Sequence, residues 1–239
     1  MQLKYSVKVI ENVTDTESTY LLRLERGASW PFDYDPGMFI TVFIPRNEKP
    51  PLTRSYSIAS PPSQKGYLEL CIKRVEGGFG SNYLCDRKPG DVLDITKPLG
   101  VFTLKETGHK NILFLATGTG IAPFKSMIES IYENKLKNKQ LWLFFGVRTQ
   151  KDIIYRHRME ELAGITKDYF HYIVSLSREP LDSNWKGERG HIEDIIKKYI
   201  PDVNDTDAYI CGLPVMVNET VALLEKLGIP EKYIFKERY

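Results

Sequence analysis

Cysteine and histidine are both scarce in this chain. Its 239 residues include three cysteines and four histidines. The cysteines are far apart, with no CxxC pair, and the histidines lack the spacing of metal ligands. We therefore expect neither a disulfide framework nor a zinc or iron–sulfur site. Each of these residues has an ordinary structural explanation as a buried thiol or a solvated imidazole.

The chain also lacks an excess of one charge and a long apolar run. Its 33 Lys and Arg residues face 31 Asp and Glu residues, and the formal charge of +2 argues against a nucleic-acid surface. No stretch approaches the ~20 apolar residues of a membrane span, and the N-terminal MQLKYSVKVIENVTDT has no apolar signal region. We therefore expect a cytoplasmic protein without a membrane span.

Apolar residues make up 42% of the sequence and charged residues 27%, which is typical of a folded globular protein. Up to Thr103 the sequence consists of short strand-like segments separated by turn clusters such as Asp35-Pro36-Gly37. Strands at this spacing indicate a small antiparallel β-barrel. The predicted strands are YSVKVIENV, TYLLRLER, MFITVFIP, RSYSIAS, YLELCIKRV and DVLDITKPL.

Beyond Thr103, continuous apolar strands alternate with amphipathic helices. This alternation indicates a parallel sheet covered on both faces, which is a doubly wound α/β domain. A polar stretch at 105–110 marks the boundary, so we predict a barrel at 1–104 and an α/β domain at 105–239. The predicted strands are NILFLA, LWLFFGV, FHYIVSLS, AYIC and YIF, and the predicted helices cover about 122–137, 152–163, 191–199 and 214–227.

The turn from Thr117 to Pro123 joins the first of these apolar strands to a helix. Its glycines, Gly118 and Gly120, let a backbone approach a phosphate, and the start of a helix favours negative charge. A pyrophosphate cradle and an ordinary tight turn are both compatible with this pattern. Because Pro123 takes the place of the last glycine of GxGxxG, the turn is not the common dinucleotide fingerprint.

Two later strand ends belong to the same sheet edge, where ligands bind in open α/β sheets. Cys211-Gly212 forms another glycine turn, although nothing nearby in sequence would activate Cys211 as a nucleophile. Ser177-Arg178 places a hydroxyl and a guanidinium there, and the planar fork of Arg suits a phosphate monoester. Taken alone, Cys211 is better explained as an inert buried thiol and Arg178 as a solvated loop arginine.

In the barrel half, Arg54-Ser55-Tyr56-Ser57 combines a cation, an aromatic ring and hydroxyls on one strand. Strand alternation puts Arg54 and Tyr56 on the same face, which suits a ligand with both a phosphate and a planar ring. The glycine loop Gly77–Ser81 supplies further backbone amides. A plain exposed strand face is the competing explanation.

Taken in order, these motifs resemble those of the ferredoxin–NADP(+) reductase family across essentially the whole chain. The series is Arg54–Ser57, Gly78–Ser81, Thr117–Pro123, Cys211–Pro214 and Glu237-Arg238-Tyr239. The resemblance implies that the barrel binds FAD and that the α/β domain binds a nicotinamide dinucleotide. For FAD it implies Arg54, Ser55, Tyr56, Ser57, Ile72, Lys73, Gly78, Gly80 and Ser81. For the dinucleotide it implies Thr117, Gly118, Thr119, Gly120, Pro123, Ser177, Arg178, Arg189, Cys211, Gly212 and Tyr239.

The same resemblance implies catalytic roles for four residues. Ser57 would hydrogen-bond near flavin N5, and Cys211 would contact the nicotinamide. Plant-type members end in Glu-x-Tyr, so Glu237 would assist proton transfer, and Tyr239 would cover the flavin and move aside for nicotinamide. Arg238 departs from the family pattern, because an apolar residue is often found there.

The nucleotide and the acceptor are open at this stage. Ser177-Arg178-Glu179 resembles the segment that holds the 2′-phosphate of NADP, whereas Trp185–Gly190 resembles a stretch of NADH-using reductase components. We expect an oxidoreductase that exchanges hydride with NADP(H) and single electrons with ferredoxin or flavodoxin. The alternatives are an NADH-dependent reductase component of an oxygenase or cytochrome system, and a non-catalytic flavin electron-relay subunit.

Overall fold

The computed structural model describes residues 4–27, 30–134, 138–166, 168–200 and 202–239. The chain divides into two compact units. The first comprises Met1–Leu104 with Ala122–Asn134, and the second comprises Lys105–Ile121 with Lys135–Tyr239. No helix in the described parts of the chain is long and apolar enough to cross a bilayer.

The first unit contains a six-stranded antiparallel sheet in the order β4-β3-β6-β1-β2-β5. A bridge between Ile58, just after β4, and Leu70 in β5 joins the two ends of this order, so the sheet curls into a barrel. The predicted antiparallel fold is therefore confirmed. Its elements are β1 (Tyr5–Thr16), β2 (Thr19–Glu25), β3 (Phe39–Arg46), β4 (Lys49–Ser57), β5 (Tyr67–Lys73), α1 (Phe79–Cys85) and β6 (Val92–Ile95).

The barrel core follows from strand alternation. In β3, Ile40, Val42 and Ile44 are all buried, while the residues between them are partly exposed. Strand β4 begins at Lys49, five residues before its predicted start at Arg54. Pro50 and Pro51 are tolerated there because they lie in the first residues of the strand, where a missing backbone donor costs little.

The second unit contains a six-stranded parallel sheet in the order β10-β9-β8-β7-β11-β12. The chain passes from β7 through β8 to β9 on one side and returns to β11 on the other, so the order reverses between β7 and β11. The predicted α/β fold is confirmed. Its strands are β7 (Asn111–Thr117), β8 (Gln140–Val147), β9 (Phe170–Leu176), β10 (Glu188–Arg189), β11 (Thr206–Gly212) and β12 (Ile234–Arg238).

The helices that follow α1 are α2 (Ile121–Glu133), α3 (Arg156–Ile165), α4 (Ile192–Tyr199) and α5 (Pro214–Lys226). Helix α3 begins four residues later than its predicted start at Asp152. Asp152 instead closes a short turn by accepting the amide and hydroxyl hydrogens of Thr149, and Tyr155 then adopts a left-handed φ of 56°. The predicted last turn of α2, at 135–137, lies outside the described residues.

Helix α2, from Ala122 onward, belongs to the first unit, whereas the predicted boundary at 104/105 assigns it to the second domain. All residues from 121 to 131 are buried, including several polar ones. The Ser126 hydroxyl donates to the carbonyl of Ser60 at 2.7 Å, and the Lys125 ammonium lies 3.2 Å from Glu69 in β5. These contacts join residues that are far apart in the sequence. Neither the spacing of apolar residues nor a turn residue predicts them.

The cluster around Glu69 predicts acid sensitivity of the first unit. Burial alone would raise the pKa of the Glu69 carboxyl, but Lys125 and Arg23 outweigh burial and hold this pKa below its ordinary value of 4.5. A depressed folded-state pKa stabilises the fold above the unfolded-state pKa, and this stabilisation is lost as the pH falls through the folded value. We expect the stability difference between wild type and Glu69→Gln to shrink below about pH 4.5. Urea unfolding across pH 3–7 measures this difference, and a constant difference would contradict the assignment.

Candidate cofactor and active site

The turn after β7 is shaped by two glycines. Gly118 has a left-handed φ of 52°, which favours glycine. At Gly120, a Cβ would lie 2.2 Å from the carbonyl oxygen of Cys211 in β11. The turn can therefore lie directly against the end of β11 only because Gly120 has no side chain.

A buried hydroxyl without a partner lies at this sheet edge. Thr117 Oγ1 makes no hydrogen bond with any described residue. A Cβ on Gly212 would lie 2.4 Å from this oxygen, so the glycine keeps the space beside the hydroxyl clear. A buried polar group normally has a hydrogen-bond partner. The missing partner of the Thr117 hydroxyl, next to a glycine turn, can therefore be a polar group of a bound nucleotide. The residues present therefore fit a dinucleotide at the predicted turn.

Cys211 is 2% exposed and pairs in register with Glu237 across β11 and β12. Burial, assisted by the negative charge of Glu237, raises the pKa of the Cys211 thiol far above its ordinary value. The group is therefore a neutral thiol near pH 7, and its environment does not activate it as a nucleophile. Its predicted contact with a nicotinamide ring stays a prediction.

Tyr239 lies over the same turn. Its hydroxyl donates to the carbonyl of Thr117 at 2.6 Å, and its side chain also interacts with Thr119 and Gly120. The residue as a whole is 52% exposed, but its hydroxyl is desolvated against the turn, and this raises the pKa of the phenol above its ordinary value. The structure places the phenol hydroxyl on the turn after β7. The position over the flavin that the resemblance implied stays a prediction.

Two guanidiniums follow the ends of β8 and β9. The backbone N–H of Arg178 donates to the carbonyl of Arg148 at 2.8 Å, so the two residues are neighbours. Both are exposed, and neither guanidinium has a hydrogen bond or ion pair with the described residues. The sequence motifs predict Ser177 and Arg178 at this edge but not Arg148. The available signal was its position directly after the apolar strand LWLFFGV.

Two other charged residues of this loop, Glu179 and Arg189, are already hydrogen-bonded. The Glu179 carboxylate accepts hydrogen bonds from the backbone and side-chain amides of Gln150, and these bonds hold its pKa below the ordinary value. Arg189, predicted as a second cation, donates to the carbonyls of Glu179 and Pro180, so its guanidinium holds the loop together.

The Trp185–Gly190 stretch has a structural explanation of its own. The Trp185 indole donates to the carbonyl of Glu188, and a Cβ on Gly187 would lie 2.4 Å from the ring.

Pro123, predicted as part of the dinucleotide turn, is buried as the third residue of α2. The first backbone N–H groups of a helix have no partner within the helix, so a proline there removes no helical hydrogen bond.

In the barrel, Arg54 and Tyr56 both face α1. A Cβ on Gly80 would lie 3.5 Å from the Arg54 side chain, and Tyr56 is half-buried beside Cys85. Burial and the nearby thiol raise the pKa of Tyr56 to about 12, against the effect of Arg54. Arg54 is exposed, and the one hydrogen bond described for its guanidinium goes to the adjacent carbonyl of Thr53. A free cation beside a planar ring fits the diphosphate and ring system of FAD.

The other predicted barrel residues differ in their burial and in the face of the strand on which they lie. The Ser81 hydroxyl accepts from the Val75 amide and donates to the carbonyl of Gly78. Ser55 faces away from Arg54 and shares a hydrogen bond with Thr41 on β3. Ser57 is half-buried at the end of β4, whereas Ile72 is buried and Lys73 is exposed at the end of β5.

Comparison with known proteins identifies both halves. The family profile described as oxidoreductase FAD-binding domain matches residues 4–104, and the oxidoreductase NAD-binding domain matches residues 114–222. Ferredoxin–NADP reductase B of Sorangium cellulosum is 34% identical over 225 residues, which are 91% of this chain and 90% of that protein. The chain belongs to the ferredoxin reductase-like family. It is therefore an oxidoreductase that binds FAD and a pyridine nucleotide.

Other family members act in different systems. NADH-cytochrome b5 reductase 2 of Neurospora crassa is 30% identical over 213 residues, covering 82% of this chain and 62% of that protein. A solved structure described as the ferredoxin reductase in carbazole 1,9a-dioxygenase superposes with a TM-score of 0.83 at 26% identity, over 99% of this chain and 69% of that one. The chain thus spans most of the Sorangium protein but less than two thirds of the Neurospora protein.

Proposed function

We propose that this family member takes hydride from NADPH and delivers electrons singly to a separate small redox protein, either ferredoxin or flavodoxin. The observation that carries the choice of nucleotide is the pair of free guanidiniums of Arg178 and Arg148 at the carboxyl edge of the parallel sheet. A 2′-phosphate is a dianionic, multidentate acceptor, and planar guanidiniums suit it better than any other side chain.

The acid next to Arg178 already has hydrogen-bond partners. A ribose 2′-hydroxyl is usually held by a free carboxylate. Glu179 is the acid beside Arg178, and its oxygens accept two hydrogen bonds from Gln150, at 2.9 and 2.8 Å. A carboxylate fixed in this way supports the NADPH assignment, because the acid next to Arg178 is already bonded while the Arg178 guanidinium is not.

The proposal assigns distinct tasks to the two parts of the sequence. Residues 1–104 would hold FAD through Arg54, Tyr56 and Ser81, and residues 105–239 would hold the nucleotide through the turn at 117–120. When bound, FAD accepts the hydride and releases its electrons one at a time. Thr117 offers a free hydroxyl to the nucleotide, and Tyr239 must give up its bond to the Thr117 carbonyl if a ligand takes that position.

The acceptor is assigned from the chemistry of the chain itself. An iron–sulfur cluster takes four cysteine thiolates, and this chain has three cysteines. Cys71 and Cys85 lie in the first unit and Cys211 in the second, and all three are buried thiols. These 239 residues therefore do not themselves supply an iron–sulfur cluster, and the name of the Sorangium relative, a ferredoxin–NADP reductase, supports a ferredoxin as the one-electron carrier.

Kinetics of two variants test the nucleotide assignment. Arg178→Ala removes a charged donor to the 2′-phosphate, so kcat/KM for NADPH should fall roughly 10- to 100-fold while the value for NADH stays within about twofold. Arg148→Ala should act in the same direction. Arg156→Ala is the matched control, because its side chain pairs with Glu160 on α3 and should leave both values unchanged.

An NADH-dependent reductase component is the second candidate, because the Neurospora relative carries NADH in its name. Equal losses for both nucleotides in Arg178→Ala, or a wild-type preference for NADH, would favour that function. Failure of both nucleotides to reduce the flavin would favour an electron-relay subunit.

A further inference from the structure

Both oxygens of the Glu179 carboxylate are held by a single residue, Gln150. The backbone N–H of Gln150 donates to one oxygen at 2.9 Å, and its side-chain amide donates to the other at 2.8 Å. An amide nitrogen carries two hydrogens, and the same nitrogen also donates to the Asn184 side chain at 3.0 Å. The direction of the carboxylate is therefore fixed, because rotating it away would break bonds to both of its oxygens.

The turn after β8 keeps Gln150 itself in place. The amide and the hydroxyl of Thr149 both donate to the Asp152 carboxylate, at 3.0 and 2.8 Å, and the backbone N–H of Asp152 donates back to the Thr149 carbonyl at 3.0 Å. These bonds close the turn around Gln150. Since Arg148 directly precedes Thr149, one fixed turn presents both the Arg148 guanidinium and the Gln150 amide.

A backbone hydrogen bond brings the turn after β9 against this turn. The N–H of Arg178 donates to the Arg148 carbonyl at 2.8 Å. Glu179 is the next residue, so its carboxylate belongs to the loop that carries the guanidiniums proposed to hold the 2′-phosphate. Among the described residues, neither guanidinium pairs with this carboxylate. Its two oxygens are bonded to Gln150 instead.

A Glu179 carboxylate released from Gln150 would oppose the binding of NADPH. The hydrogen bonds from Gln150 hold its pKa below the ordinary value of 4.5, and even at that value the group is ionised at pH 7. Its negative charge would repel a 2′-phosphate and would compete for the guanidinium of Arg178, the adjacent residue. A released carboxylate would also accept a hydrogen bond from a ribose 2′-hydroxyl, which favours NADH.

We propose that Gln150 is a specificity-determining residue: it binds the Glu179 carboxylate, leaves the Arg178 and Arg148 guanidiniums unpaired, and so favours NADPH over NADH. The inference rests on the proposed function, because it takes those guanidiniums as the site of the 2′-phosphate. Gln150 acts through Glu179 and needs no contact with the nucleotide, so it is a positioning residue. The two residues are 29 positions apart, and their turns meet because β8 and β9 are neighbours in the parallel sheet.

Steady-state turnover of the FAD-loaded protein, with ferricyanide as the electron acceptor, tests this role through kcat and KM for each nucleotide. Gln150→Leu removes the side-chain donor at a similar volume. The ratio of kcat/KM for NADPH to that for NADH should fall at least about threefold, the size of a partly exposed charge interaction. The fall should come chiefly from a higher KM for NADPH. Gln150→Ala should lower the ratio in the same direction, and it serves if the leucine variant does not fold.

A second substitution separates the charge of Glu179 from the structure of the loop. Adding Glu179→Gln to Gln150→Leu replaces the carboxylate by a neutral amide, which neither repels a phosphate nor pairs with a guanidinium. The double variant should therefore return the ratio to within about 1.5-fold of wild type. Gln140→Leu is the matched control, because it makes the same replacement at the other end of β8, where the Gln140 side chain donates to the Asp168 carbonyl. It should leave the ratio unchanged.

An unchanged ratio in Gln150→Leu, or a lowered ratio that Glu179→Gln does not restore, would overturn the role of Gln150. An unchanged ratio beside a lowered one in Arg178→Ala would overturn this role alone and leave the proposed function standing. The preference of wild type tests the proposed function separately. If wild type prefers NADH, that function fails, and the ratio in Gln150→Leu still decides whether Gln150 acts through Glu179.

Discussion

Lys125→Met is expected to lower the free energy of unfolding by about 3–5 kcal/mol, the usual cost of removing one partner from a buried ion pair. The Lys125 ammonium lies 3.2 Å from Glu69 and 3.0 Å from Glu129, and all three side chains are almost fully buried. Burial alone would lower the pKa of Lys125, but the two carboxylates raise it, so the group is charged. Methionine fills a similar volume, so the lost charge accounts for the effect.

A double-mutant cycle separates charge from packing. Lys125→Met with Glu129→Leu removes one charge of each sign, and Glu69 keeps its contact with Arg23 at 2.9 Å. The double variant should therefore recover a large part of the stability lost in the single variant. Denaturant unfolding followed by circular dichroism measures each member of the cycle. A single variant within about 1 kcal/mol of wild type would contradict the proposed role of the ion cluster.

Gly120→Ala is expected to damage both the fold and nucleotide use. The new Cβ would lie 2.2 Å from the Cys211 carbonyl oxygen, a backbone atom that cannot rotate away, so β11 and the turn must separate. Forcing a methyl group into such a contact costs about 1–3 kcal/mol of stability. Displacing the turn by about 1 Å should also lower the rate of reduction by pyridine nucleotide about 100-fold.

Gly164→Ala provides the matched control in the same unit. Gly164 lies within α3, and a Cβ there would meet nothing within 4 Å. Replacement of a helical glycine by alanine should stabilise the fold by about 0.5–1 kcal/mol and leave nucleotide use unchanged. Thermal unfolding and flavin reduction kinetics, measured on both variants, make the comparison. If Gly120→Ala behaved like Gly164→Ala, the close approach at Gly120 would have no functional meaning.

The two sheets could be predicted from the sequence because their patterns are local. The alternation in FITVFIP and the apolar run in NILFLA each mark a strand over seven residues or so, and both strands are present. Strand β10 has only two residues, which is too short to show the alternation of apolar and polar residues that predicts a strand. The packing of α2 on the barrel could not be predicted, because it depends on contacts such as Lys125 with Glu69 that are far apart in the chain.

The location of the candidate site could be predicted from the sequence, but the hydrogen bonds of its residues could not. The glycine turns at 117–120 and 211–212 come together because parallel strands end at one edge. Arg148 rather than Arg189 is assigned as the second cation for a phosphate because the Arg189 guanidinium is already hydrogen-bonded. That bonding depends on the folded loop and cannot be predicted from the sequence. The position of the Tyr239 hydroxyl on Thr117 likewise depends on the register of β12 beside β11.

The most direct test of the account is anaerobic stopped-flow absorbance of the FAD-loaded protein, mixed in turn with NADPH and NADH at matched concentrations. The account predicts that NADPH bleaches the flavin much faster than NADH, and that Arg178→Ala removes this difference. Subsequent mixing with oxidised ferredoxin or flavodoxin should restore the flavin absorbance. Faster bleaching by NADH, with no effect of Arg178→Ala, would contradict the account and favour a reductase component of an oxygenase or cytochrome system.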